Sequence, residues 1–149
     1  MKRDRDYYMK KVVEMSVAEA TGEVIRDPFR VHRILESYGY ADQEHFLAIL
    51  LNGEHKIIET VVVTKGILNK TIIHPREVFR PAIEKNAAAI ILAHNHPSQQ
   101  TNPSEEDRNV TGRMVQAGKL IGIPVLDHII ITRESFYSFN TEGTLEDTI

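Results

Sequence analysis

The stretch Ala87–Asp107 reads AAAIILAHNHPSQQTNPSEED. It holds, in order, an all-apolar run, two histidines two residues apart, a polar loop and a helix start. Ala87 to Ala93 is short and wholly apolar, the pattern of a strand covered on both faces. The run leads directly into His94-Asn95-His96-Pro97. In extended backbone residues i and i+2 share a face, so both imidazoles leave the same side of the chain. Asp107 follows after a loop long enough to fold back on them. Two neutral imidazoles and one carboxylate, with a fourth position for water, suit an open, catalytic zinc site.

Each part also has a plainer explanation. Two histidines before a proline can equally finish a buried strand at the surface, because an isolated two-residue spacing arises easily by chance. Ser104-Glu105-Glu106-Asp107 fits a capping box, with Ser104 as N-cap and Asp107 at the third helical position. Carboxylates in a first turn are favoured by the helix dipole in any case. The cap and the metal therefore compete for the same oxygens of Asp107. The letters HNH at His94–His96 are not by themselves a nuclease signature.

Hydrolysis by metal-activated water also needs a carboxylate that is not a ligand, to take and return protons. Glu44 precedes an apolar run, Glu54 follows a turn and Glu59 is mid-strand. By sequence the three are close to equal, with Glu44 slightly ahead because sites collect at strand ends. His74 reads as a helix-start residue. Asp127 and His128 interrupt an apolar strand, so one is expected to face solvent and the other to find a partner inside. Either could support a metal ligand from behind.

The 149 residues and 42% apolar content predict one domain with a real core. A net charge of −3 argues against a broad nucleic-acid footprint, and the basic cluster Lys2, Arg3, Arg5, Lys10 and Lys11 reads as a solvated arm. With no cysteine, disulfides are excluded and a metal must rely on His, Asp or Glu, which suits a reducing cytoplasm. No apolar stretch approaches the roughly 20 residues of a membrane span, and the charged N-terminus does not read as a signal peptide.

Along the chain, residues 1–24 read as an arm and 141–149 as a loose polar tail, with the domain between them at 25–140. Asp27 as N-cap and Pro28 at the first helical position open a helix that Gly39 is expected to end. Phe46–Leu51 and Ile57–Thr64 form a hairpin through a two-residue turn at Asn52-Gly53. His74-Pro75 opens a second helix that Pro81 should kink or shorten. A third starts near Ser104 and carries Val110, Met114 and Ala117 inward, with Gly118 and Gly122 available to end it. Pro124–Thr132 and Phe136–Phe139 complete the strands. Strands alternating with helices predict a mixed α/β sandwich.

His94-x-His96-Pro97, then Ser104, then Asp107, is spaced like the JAMM metalloprotease motif of the JAB/MPN domain. The surroundings resemble its RadC-like branch, historically labelled as DNA repair factors. The likeness is carried by Glu44-His45-Phe46, His74-Pro75-Arg76-Glu77-Val78, Ala87–Pro97 and Leu126-Asp127-His128-Ile129-Ile130. The resemblance implies the JAB/MPN sandwich, related to the cytidine-deaminase fold. It implies Zn2+ on His94, His96 and Asp107, Glu44 as general base, and Ser104 orienting water or steadying the oxyanion. It thus implies a hydrolase without settling the substrate, and our reading is a peptidase or isopeptidase acting on a protein or peptide. A DNA-repair accessory module is the rival, and it would show salt-sensitive DNA binding. Full-length relatives carry an N-terminal helix-hairpin-helix region for which this chain has no room, which weakens the DNA role. A non-enzymatic interaction module would show an occupied fourth zinc position or a blocked cleft. A deaminase is disfavoured by the absence of paired cysteines.

Overall fold

The computed structural model describes residues 17–66 and 73–145. The basic cluster and residues 146–149 lie outside the described residues. Helix α1 (Pro28–Leu35) leads through a 3-10 turn (Glu36–Tyr40) into β1 (His45–Leu51) and β2 (Ile57–Lys65). Then come α2 (Pro75–Glu84), β3 (Ala89–Asn95), α3 (Glu105–Ile121), β4 (Val125–Ile131) and β5 (Phe136–Ser138). The strands form one sheet in the order β2-β1-β3-β4-β5. Among the described strands only β3 and β4 run parallel, and α3 supplies the crossover a parallel pair requires. The mixed α/β sandwich expected from the sequence is what forms.

Strand alternation divides the core into two. Leu47, Ile49, Ile91, Ala93 and Ile129 pack with Val31, Ile34 and Leu35 of α1 on one face. Phe46, Ala48, Leu92 and Ile130 pack with Val78, Phe79, Val110 and Met114 of α2 and α3 on the other. All seven residues of β3 are buried, as expected of a central strand with helices on both sides. That strand runs two residues further than the apolar run predicts and carries His94 and Asn95 with it.

Local signals held at helix starts and slipped at turns. Asp27 accepts a hydrogen bond from the Arg30 amide and Pro28 stands in the first turn, as expected. The α-helix then stops at Leu35, and Gly39 lies in the 3-10 turn instead of ending the helix. A Cβ on Gly39 would sit 2.6 Å from the Arg133 nitrogen, so the glycine serves a close backbone approach. The two-residue turn at Asn52-Gly53 does not form. The Asn52 carboxamide oxygen accepts from the Glu54 and Lys56 amides, and His55 takes the left-handed conformation (φ 62°), which organises a wider loop.

Helix α2 runs through Pro81, whose missing N–H falls in its last turn and therefore costs one bond near an end. Helix α3 likewise passes Gly118, where a Cβ would meet the Ile123 carbonyl oxygen at 2.6 Å, and ends at Gly122 (φ 85°).

Both ends of the described residues contribute to the core. Ala20 and Ile25 are buried, and Val24 bridges Lys56. At the other end Leu145 is buried, and its amide and that of Thr144 donate to the Phe139 carbonyl. No helix among the described residues is long and apolar enough to cross a membrane.

Candidate metal centre

The end of β3 and the first turn of α3 meet on the α2/α3 face of the sheet. His94 pairs with Phe46 of β1 on one side and Ile130 of β4 on the other. His94, His96 and Asp107 are all buried, and each offers a ligand atom within 4.8 Å of the other two. His94 Nε2 lies 2.9 Å from His96 Nε2 and 3.2 Å from Asp107 Oδ1, and His96 Nε2 lies 3.1 Å from Asp107 Oδ2. A tetrahedral ion held at about 2.0–2.1 Å spaces such atoms about 3.3 Å apart. The cluster would need to open by only a few tenths of an ångström.

The chemistry of the donors agrees with that spacing. His96 Nδ1 is 2.7 Å from the Gln100 carbonyl oxygen. A carbonyl can only accept, so Nδ1 carries the proton and, in the neutral ring, Nε2 presents a lone pair. That lone pair faces a buried carboxylate and a second imidazole nitrogen. Acceptors turned on one another in a buried site are unfavourable without a cation between them, and a divalent ion meets that need. The residues present could hold a metal ion through two imidazole nitrogens and a carboxylate.

The cap and the cluster do not compete after all. Ser104 Oγ accepts from the Asp107 amide at 3.1 Å, and Asp107 Oδ2 accepts from the Ser104 amide at 2.8 Å, so the capping box is complete. The same carboxylate turns Oδ1 toward His94 and Oδ2 toward His96. A carboxylate has about four lone-pair directions, enough for both tasks. The capping box also fixes the rotamer that aims Asp107 inward.

Sheet register separates the three candidate glutamates. The β1–β3 pairing ends at Phe46–His94, so Glu44, just before β1, lies toward the same end of the sheet as His94. Glu54 lies beyond the other end of β1, roughly 20 Å along the strand at ~3.3 Å per residue, and Glu59 pairs with Leu50. Both are exposed. Glu44 is not among the three clustered residues. The buried Asn95 brackets it, donating to the Gln43 carbonyl at 2.9 Å and accepting from the His45 amide at 2.6 Å. His74 caps α2 without a side-chain bond and takes no part in the cluster.

Asp127 and His128 correct an expectation, since neither faces solvent. Asp127 accepts from the His128 and Asn140 amides and from the Ser138 hydroxyl, tying β4 to the turn beyond β5. Burial pushes its carboxyl above the usual carboxylate range, against the pull of those three bonds. His128 lies behind His94, with its Nε2 2.8 Å from His94 Nδ1, and its Nδ1 hydrogen-bonds Thr111 Oγ1. Thr111 escaped sequence reasoning. Its signal was the four-residue step from Asp107, which sets a threonine hydroxyl over the carbonyl one turn back.

Comparison with known proteins agrees with this arrangement. The RadC-like JAB domain matches residues 25–144. A UPF0758 protein of Rubrobacter xylanophilus is 46% identical over 133 residues, covering 88% of this chain and 58% of its own length. One from Geotalea uraniireducens is 48% identical over 117 residues, covering 78% and 47%. Another, from Trichlorobacter lovleyi, is 50% identical over 103 residues, covering 69% and 45%. The chain thus spans about half the length of the curated relatives it matches. With the sandwich, the histidine pair and the inward carboxylate already in place, the chain belongs to the RadC-like JAB domain family.

Proposed function

We propose that this domain is a zinc-dependent hydrolase of the JAMM type, a metallopeptidase or isopeptidase that cleaves an amide bond. The observation that carries the reading is the convergence of His94 Nε2, His96 Nε2 and both Asp107 oxygens on one buried point. Held there, a zinc ion supplies Lewis acidity toward a carbonyl oxygen and makes water acidic enough to be a nucleophile near neutral pH. Glu44 takes the proton of the attacking water on its carboxylate and returns it to the leaving amine. Ser104 Oγ already accepts from the Asp107 amide, so its hydroxyl hydrogen is the part that can donate to the substrate oxygen as charge develops there. The zinc, the substrate class and these two roles belong to the proposal.

Metal analysis of the purified protein is the first test, with about one zinc per chain expected and none in His96→Ala. Glu44→Gln should then abolish turnover of peptide substrates while zinc stays bound. Loss of the metal in that variant, or surviving activity, removes Glu44 from the role. Salt-sensitive retardation of DNA in a gel, without peptide cleavage, would favour a DNA accessory module instead.

A further inference from the structure

We propose that Thr111 and His128 are positioning residues for His94, acting through a relay of three hydrogen bonds that begins at a main-chain carbonyl of α3. The inference rests on the reading of His94 as a metal ligand. Its first link is Thr111 Oγ1, 2.7 Å from the Asp107 carbonyl oxygen. That oxygen only accepts, so the threonine hydrogen points to it. The hydroxyl can then only accept from His128 Nδ1, its second neighbour, so Nδ1 holds the His128 proton. His128 Nε2 is left with a lone pair, and it lies 2.8 Å from His94 Nδ1. His94 therefore carries its proton on Nδ1 and turns a bare Nε2 toward His96 and Asp107.

The direction of every bond follows from one backbone carbonyl, and all members of the relay are buried. Asp107 consequently meets His94 from both ends. Its carboxylate lies 3.2 Å from Nε2, and its carbonyl sets the Nδ1 proton through Thr111 and His128. Aromatic packing holds the rings in place. His128 stacks on Phe139 at 5.0 Å between centroids with its edge toward Phe46, and Phe46 stacks on His94 at 6.1 Å. Outer partners of this kind fix the tautomer and orientation of a ligand and raise its basicity. The β4 strand and the body of α3, neither of which holds His94, thereby take part in metal affinity.

The test uses nitrogen NMR of the zinc-loaded wild type together with zinc affinities measured by competition with a chelating dye. The relay predicts that His128 bears its proton on Nδ1 and none on Nε2, whereas a proton on Nε2 overturns it. Thr111→Val should weaken zinc binding by roughly 10- to 100-fold, the usual cost of losing an outer partner. Thr111→Ser keeps the hydroxyl and should stay close to wild type, which separates the relay from a packing role. Thr111→Val with wild-type affinity overturns the relay while leaving the metal reading intact. A wild type that takes up no zinc overturns the metal reading, and this proposal with it.

Discussion

Two aspartates open helices in this domain, and only one of them is in a position to do chemistry. Asp27 caps α1 by accepting the Arg30 amide at 3.0 Å, and it is exposed. Asp107 completes the capping box of α3 with an equally local bond, to the Ser104 amide at 2.8 Å, yet it is fully buried and faces two histidines. As local devices the two are alike, a carboxylate meeting the orphan amides of a first turn. They differ in what the sheet brings opposite. The start of α1 looks outward, whereas the start of α3 is set against the end of β3, the most enclosed strand. A cap carboxylate becomes a candidate ligand when tertiary packing supplies imidazoles to meet it.

That contrast can be broken most directly at Asp107. Asp107→Ala removes a ligand and the carboxylate half of the capping box together, so zinc binding should vanish and stability should fall. Metal content and the denaturant midpoint measure the two losses separately. A variant that still holds zinc would reduce Asp107 to the standing of Asp27.

Asp107→Asn separates the roles, because the amide oxygen can still accept from Ser104. The metal-free melting temperature should stay near wild type. The rise that zinc produces in the wild type, equivalent to about 2.7 kcal/mol at a hundredfold excess over Kd, should disappear. Asp27→Ala is the control in the other direction. It should cost about 1 kcal/mol, seen as a drop of roughly 2–4 °C in melting temperature, with the zinc-induced rise intact.

A third aspartate sharpens the comparison with the smallest effect. Asp127 is buried like Asp107, but its own neighbours supply three donors and no imidazole ring faces it. Burial raises its pKa above the ordinary 3.8. The folded state therefore holds this proton more tightly than the unfolded chain does. The stabilisation is fully present below the unfolded value and is lost as pH rises through the folded one. Asp127→Asn, which retains an acceptor for the two amides, should remove that slope. Its stability relative to wild type should climb with pH across this window and then level off. Denaturant midpoints across the acid range would read the difference, and a constant difference would show that Asp127 does not titrate there.

Much of this was legible before any coordinates. The apolar runs Phe46–Leu51 and Ala87–Ala93 and the caps at Asp27 and Ser104 involve residues a few positions apart, where backbone geometry alone fixes who meets whom. The turns were less legible. Asn52-Gly53 spells a two-residue hairpin, but the Asn52 side chain reaches two amides further on and holds a wider loop open. Gly39 and Gly118 read as helix stops, although each is small because another segment of backbone passes close by. Composition alone does not show that Ala20 and Leu145, sparse apolar residues in polar surroundings, are buried.

By itself the sequence determined that two imidazoles share one strand face and that a carboxylate stands in the first turn of the next helix. Those facts depend only on residue spacing within an element. The tertiary structure decided that the two groups meet, that the start of β1, just after Glu44, lies at their end of the sheet while Glu54 and Glu59 lie toward the other, and that His128 and Thr111 stand behind His94. The reason is the sheet order. Setting β3 between β1 and β4 brings residues 34 and 50 positions apart into hydrogen-bond contact, and no local pattern encodes which strands become neighbours.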